Sequence, residues 1–142
     1  MAAPDATALC PYGGTDARGR PLGYAACCGR YLDHWADTPA PDPESLMRSR
    51  YSAFVRERAD YLLASWHPHT RPPGLAFDPG ARWLGLEVRR HRLIDDAHAE
   101  VEFVARSRLH GRATRLHELS RFMRENDADD KARWFYVDGT IY

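Results

Sequence analysis

The sequence has almost no lysine and no excess of charge of either sign. Lys131 is the single lysine among 20 cationic residues, and 20 acidic residues balance them. A chain without net charge has no global field that would draw it to a phosphate backbone or to an anionic membrane surface. We therefore expect neither nucleic acid nor membrane among its partners.

Long apolar runs are missing as well, and cysteine is scarce. No stretch approaches the roughly 20 apolar residues that a helix needs to cross a bilayer, and the opening MAAPDATAL lacks the cationic start of a secretory signal. The three cysteines, Cys10, Cys27 and Cys28, are an odd number that does not suit a secreted disulfide scaffold. These absences favour a soluble cytoplasmic protein in which the thiols serve metal or thiol chemistry.

The rest of the composition is that of a folded domain. A chain of 142 residues with 44% hydrophobic and 28% charged residues can form one core. Its first part is so rich in glycine and proline that it cannot hold long helices or strands. We predict an irregular segment over residues 1–42, held together by its cysteines, and an ordered unit over residues 43–142.

Helix signals start at the boundary between these parts. Asp42 is a good N-cap and Pro43 suits the first helical position, so a helix is predicted to begin there. A second helical segment covers 59–66, with apolar residues at helical spacing. Pro68 and the prolines that follow it end this segment.

Beyond Pro79 the apolar period shortens toward two, which is typical of strands. Alternation starts at Trp83 and resumes near Ala99, and further strands are predicted over 112–124 and 133–142, separated by turn-like segments. Helices followed by strands predict an α+β fold, with the helices packed on one face of a curved antiparallel sheet.

The cysteines lie in a pattern that resembles the SEC-C zinc motif. Cys10 is followed by Pro-Tyr-Gly-Gly, and the adjacent pair Cys27 and Cys28 follows Tyr24 at the motif's spacing. Tyr12 stands where the motif has a second cysteine, so this chain alone cannot supply four thiolates to a tetrahedral zinc ion. Two interpretations stay open: zinc held by the three thiols and His34, or a degenerate knuckle whose cysteines are small buried hydrophobes.

Six further stretches follow one another in the sequence: LMRSRYSAF (46–54), DYLLASWHP (60–68), RWLGLEV (82–88), VEFVAR (101–106), LHELSRF (116–122) and WFYVDG (134–139). Together, in this order, they resemble the YchJ-type bacterial family. The resemblance implies an N-terminal SEC-C-like segment followed by a domain similar to the nuclear transport factor 2-like fold, a sheet curved against helices into a cone. Because this fold hosts enzymes and binding modules alike, it implies no particular reaction.

Polar residues inside these apolar stretches are the candidates for a site in the cone. In LHELSRF, residues alternate between faces, so Glu118 and Ser120 face the core if Leu116 and Phe122 do, and His117 then faces away. We expect either an ion pair from Arg48 or Arg50 to Glu118 or a general base working on a small substrate. The candidate bases are Glu118, His117 and His67, and the candidate pocket residues are Arg48, Arg50, Tyr51, Trp66, Glu118 and Ser120.

Two functions follow from these features. The first is a docking or binding module, because the similar knuckle of protein-export ATPases docks protein partners, as the resemblance implies. The second is a small-molecule enzyme that uses acid–base residues in the cone. A filled interior would favour docking, whereas an open pocket with an unpaired Glu118 would favour a small molecule.

Overall fold

The computed structural model describes residues 8–142, and its architecture confirms the predicted α+β fold. The first seven residues of the predicted 1–42 segment lie outside this range. Short helices come first and four strands follow. The elements are a 3₁₀ turn (Tyr24–Ala26), helices α1 (Gly29–Leu32), α2 (Pro43–Val55) and α3 (Ala59–Ala64), and strands β1 (Ala81–Asp95), β2 (His98–Leu109), β3 (Arg112–Asn126) and β4 (Ala132–Ile141).

Helix α2 begins where the capping signals predict. The Asp42 side chain accepts a hydrogen bond of 2.7 Å from the backbone N–H of Ser45, and Pro43 occupies the first turn. The helix ends at Val55, and Glu57 then adopts a left-handed backbone conformation with φ of 55° that separates α2 from α3. The two predicted helical segments are therefore distinct helices.

The four strands form one antiparallel sheet in the order β1-β2-β3-β4. Register is uninterrupted between β2 and β3. Bulges shift the register of the β1–β2 pairing, for example between Trp83 and Gly85, and that of the β3–β4 pairing between Arg121 and Phe122. Such bulges bend a strand and increase its twist, so the sheet curves. Its inner face lies against α2.

One hydrophobic core joins the two parts of the chain. Leu46 and Leu62 from the helices meet Val101 and Phe122 from the sheet, and Cys27 belongs to the same cluster of buried residues. The irregular N-terminal segment therefore shares its core with the cone. No helix among the described residues is long and apolar enough to cross a membrane.

Candidate functional site

A cavity of about 240 Å³ lies between α2, the end of α3 and the inner face of the sheet. Its lining is largely aromatic and aliphatic, with Arg50, Glu118 and Ser120 as the strongly polar exceptions. The lining residues are Met47, Arg50, Tyr51, Phe54, Trp66, Trp83, Phe103, Ala105, Leu116, Glu118, Ser120, Phe122 and Tyr136.

Five of the six predicted pocket residues line this cavity, and Arg48 does not. The two arginines are two positions apart on α2, about 200° around the helix axis, so they cannot face the same side. Arg48 instead pairs with Glu44 at 3.1 Å, and its guanidinium carbon lies 5.1 Å from the centre of the Tyr12 ring. Arg48 thus belongs to the surface that meets the N-terminal segment.

Arg50 brings a buried positive charge to the cavity. Arg50 is only 5% exposed. Its Nη1 donates hydrogen bonds to the Leu62 carbonyl oxygen at 2.9 Å and to Ser65 Oγ at 2.6 Å. The guanidinium carbon lies 4.5 Å from the centre of the Tyr136 ring, close enough for a cation–π contact. Burial lowers the pKa of Arg50 to about 10, so the group keeps its charge at neutral pH.

Glu118 projects into the cavity from β3, on the opposite side from Arg50. Its Oε2 accepts hydrogen bonds from Ser120 Oγ and, at 3.3 Å, from the Tyr136 hydroxyl. Gly139 lies in the neighbouring strand β4, and a Cβ at this position would collide with the Glu118 carboxylate. The absence of a side chain at Gly139 therefore gives Glu118 the space that it occupies. Two hydrogen-bond donors and a gap in β4 therefore hold the carboxylate in place.

The predicted ion pair between Glu118 and an arginine of α2 is wrong. Arg48 pairs with Glu44, and Arg50 Nη1 donates to the Leu62 carbonyl oxygen and to the Ser65 hydroxyl. Within residues 8–142 Glu118 is in no ion pair, and Tyr136 stands between it and Arg50. The cavity consequently holds a cation and a carboxylate that do not neutralise each other by contact.

The two candidate histidine bases do not line the cavity. His67 is buried behind it, where its Nδ1 accepts from the backbone N–H of His69 and its Nε2 lies 2.8 Å from Glu125 Oε1. His117 lies on the outer face of the sheet, as the alternation predicts, with Nε2 2.7 Å from Glu102 Oε2. Of the three candidates, Glu118 alone is positioned to act in the cavity.

Tyr136 and Gly139 are site residues that the sequence reasoning missed. Both belong to WFYVDG, one of the stretches that carried the family resemblance, but they were not singled out. The missed signal is the alternation within that stretch, which places Trp134 and Tyr136 on one face of β4. Because β4 pairs with β3, this alternation predicts that a side chain of β4 lies next to Glu118, and Tyr136 is that side chain.

The three cysteines form a second cluster, and their side chains are buried. The three Sγ atoms all lie within 4.8 Å of one another, a spacing at which they could hold one metal ion. This confirms that Cys10 meets Cys27 and Cys28 in space. Hydrogen bonding with the Cys28 thiol lowers the pKa of Cys10, and the same contact raises the pKa of Cys28.

The donor set around these thiols fits three corners of a tetrahedral zinc site. Tyr12 takes the place of the motif's second cysteine, and its hydroxyl accepts a hydrogen bond of 3.1 Å from Cys27 Sγ. Burial raises the pKa of Tyr12, which makes the phenolate that a metal would require less accessible. His34 is exposed after α1 and lies outside the thiol cluster, so its predicted part as fourth ligand is wrong.

The inner side of the cysteine cluster faces α2. Cys10 Sγ lies 3.8 Å from Ser52 Oγ, and the Arg56 guanidinium carbon lies 3.8 Å from the centre of the Tyr24 ring. Gly14 has no room for a Cβ because Tyr12 and Cys27 pack against it. The N-terminal segment is thus fitted to the same helix that lines the cavity.

Comparison with known proteins places the chain in a family. A family model described as "YchJ, middle NTF2-like domain" matches residues 42–139, which is most of the sequence and starts at the N-cap of α2. The chain belongs to the YchJ family. It is 65% identical over 131 residues to a UPF0225 protein of Polaromonas sp., covering 92% of this chain and 91% of that protein. A UPF0225 protein of Bordetella parapertussis is 52% identical, with 97% and 96% covered.

Two solved structures share the architecture of this YchJ-family chain. A SEC-C motif containing protein from Psychrobacter arcticus is 31% identical with a TM-score of 0.79, covering 96% of this chain and 84% of that chain. Another, from Rhodopseudomonas palustris, is 30% identical with a TM-score of 0.70, covering 87% and 94%. Both solved proteins are described as containing a SEC-C motif, which agrees with the family of this chain.

Proposed function

We propose that this protein binds a small molecule in the cavity of the cone. The observation that carries the proposal is an open, mostly aromatic cavity into which Glu118 projects, with no ion-pair partner among residues 8–142. A hydrophobic pocket with a few convergent polar groups is the usual form of a small-molecule site. An interior that only supported a docking surface would be expected to fill this space with side chains.

The size of the cavity limits the ligand to a small one. A cavity of about 150 Å³ accommodates benzene in an engineered protein core. The 240 Å³ available here therefore suits one ring with a short substituent. The aromatic rings of Trp66, Trp83 and Tyr136 would contact its apolar part.

We propose a structural role for the cysteine cluster: it acts as a clamp that holds the N-terminal segment against α2. Its inner side contacts Ser52, and Tyr24 packs against Arg56, so the surface next to the thiols is covered by the protein's own helix. We propose that bound zinc would take Cys10, Cys27 and Cys28 as its three protein ligands. Stabilising α2 would also hold Arg50 and Tyr51 in the cavity wall.

Acid–base catalysis in the same cavity is a second candidate function. The observation that favours it is the inward position of Glu118, whose Oε1 accepts from no group in the described part of the chain. A carboxylate in an apolar pocket can accept a proton from a bound molecule when it lies within hydrogen-bond reach. Binding is the requirement that both functions share, so it is tested first.

The test is titration of the purified protein with toluene, an uncharged ring probe, followed by NMR of the tryptophan indole N–H groups. We expect the resonances of Trp66 and Trp83 to shift and saturate, because both rings line the cavity. Ala105→Phe, which fills the cavity from β2, should abolish the shifts. Ala113→Phe, at an exposed position of β3, should leave them unchanged and serves as the control. Absence of saturable binding to the wild type, or equal binding to Ala105→Phe, would refute the proposal.

A further inference from the structure

From the polar groups of the cavity, we infer that its ligand is an uncharged molecule bearing both a hydrogen-bond acceptor and a donor hydrogen, such as a primary amide. The inference rests on the proposed function, since it names the class of molecule that the cavity binds. It is carried by the arrangement of Arg50 and Glu118, which offer opposite hydrogen-bonding groups and opposite charges to the same space.

The α2 side of the cavity offers donors. Nη1 of Arg50 is occupied by Leu62 and Ser65, but the N–H groups on Nε and Nη2 donate to none of the residues from 8 to 142. The indole N–H of the neighbouring Trp66 also lacks an acceptor among the described residues, but it is closed off from the cavity and is not one of these donors. Arg50 lines the cavity, so a ligand that brings an acceptor oxygen would give these guanidinium N–H groups a partner in an otherwise apolar wall.

The β3 side offers an acceptor. Among the described residues, the two donors to Glu118 both use Oε2, which leaves Oε1 for a hydrogen from the ligand. Ser120 and Tyr136 fix the orientation of the carboxylate, and the missing Cβ of Gly139 gives it room. A ligand N–H or O–H would complete the hydrogen bonding on this side.

The pairing of charges disfavours charged ligands. A carboxylate would be attracted by Arg50 but would meet Glu118 across a cavity too small to keep its hydration shell. An ammonium group would be attracted by Glu118 and repelled by Arg50, with the same loss of water. Moving a charge out of water is costly unless it is well paired. A neutral amide avoids that cost and can satisfy both walls, with its oxygen toward Arg50 and its N–H toward Glu118.

Three probes of nearly the same shape test the inference: benzamide, benzoate and benzylamine, each titrated at neutral pH by NMR or calorimetry. We expect benzamide to bind the wild type at least about tenfold more tightly than either charged probe. Tighter binding of benzoate or benzylamine would overturn the inference. If toluene binds and benzamide does not, the inference fails while the proposed function stands. If toluene also fails to bind, both are refuted.

Variants at the carboxylate add a second readout. Glu118→Gln removes the negative charge and leaves Arg50 unopposed, so the ratio of benzoate to benzamide affinity should rise by about tenfold or more. Glu102→Gln, on the outer face of the sheet, is the matched control and should leave the ratio unchanged. An unchanged ratio in Glu118→Gln would show that the carboxylate does not face the ligand. Arg50→Gln, where it folds, should shift the preference toward benzylamine instead.

Discussion

At the scale of single residues, the position of the Glu118 carboxylate in the cavity requires a glycine at residue 139. Gly139 lies opposite Ser120 in the sheet, and any Cβ there would occupy the position of the Glu118 carboxylate. The glycine is needed for this close approach rather than for an unusual backbone conformation. Its effect on the site should therefore be separable from its effect on the strand.

The first prediction concerns Gly139→Ala. The new methyl group should push Glu118 out of its hydrogen bonds with Ser120 and Tyr136, so benzamide binding should weaken by about tenfold or more. Toluene binding should change less, because it makes no use of the carboxylate. Calorimetric titration measures both. Gly85→Ala, whose added Cβ would meet nothing within 4 Å, is the matched control. Wild-type benzamide affinity in Gly139→Ala would contradict the assignment.

A second prediction at this scale concerns the stability of Glu118→Gln. Breaking a buried ion pair costs about 3 kcal/mol or more, because it leaves a charge unpaired. Glu118 has no such pair in the described part of the chain, and the oxygen of a glutamine can still accept from Ser120 and Tyr136. We expect the free energy of unfolding in urea to fall by no more than about 1 kcal/mol. A loss near 3 kcal/mol would show that Arg50 and Glu118 depend on each other electrostatically.

At the scale of elements, β4 is tied to the turn before it and to the N-terminal segment through Arg133. Its guanidinium bonds to Asp127 and to the Trp35 carbonyl oxygen, and its carbon lies 4.0 Å from the centre of the Trp35 ring. Trp35 in turn packs edge-on against Tyr61 of α3. One side chain therefore joins the N-terminal segment, the helical layer and the edge of the sheet.

This contact predicts a pH dependence of stability. Hydrogen bonds from Arg133 hold the pKa of Asp127 below its usual range. A carboxyl with a lowered folded-state pKa contributes stability above its unfolded-state pKa of about 4 and loses that contribution as pH falls through the folded-state value. Below pH 4, unfolding midpoints should therefore fall more steeply in the wild type than in Asp127→Asn. Parallel pH profiles for the two proteins in thermal unfolding would contradict the assignment.

Much of the element-scale description was predictable from sequence. Asp42 and Pro43 marked the start of α2, and alternation in LHELSRF placed Glu118 inside and His117 outside. The partner of Glu118 was not predictable, because it depends on how α2 is rotated and displaced relative to β3. Local periodicity contains no information on that rotation. Gly139 lies in β4 opposite Ser120 of β3, so strand pairing rather than the rotation of α2 places it beside Glu118.

At the scale of the whole molecule, the N-terminal segment and the cone behave as one body because they share a core. The cysteine cluster touches α2 at Ser52, and α2 carries Arg50 on its cavity side. A change that stabilises the cysteine cluster should therefore raise the stability of the entire chain. It should not produce a second, separate unfolding transition.

Replacing Tyr12 tests that coupling together with the metal assignment. The Tyr12 hydroxyl lies 3.1 Å from Cys27 Sγ, and a cysteine at this position would add a fourth thiolate, the ligand number that structural zinc sites take. Tyr12→Cys is predicted to bind one zinc ion more tightly than the wild type. Because a ligand that binds the folded state stabilises it, zinc should raise the thermal midpoint of the variant in a single transition.

Tyr12→Ser is the matched control, because serine is similar in size to cysteine and likewise removes the phenol, but it carries no thiol. Zinc content after dialysis and thermal midpoints with and without a chelator should separate the two variants. A gain in Tyr12→Cys that Tyr12→Ser lacks would assign the fourth corner to position 12 and show that the clamp acts on the whole fold. If Tyr12→Cys gains neither metal nor stability, the position does not complete a metal site and the SEC-C interpretation of this segment fails.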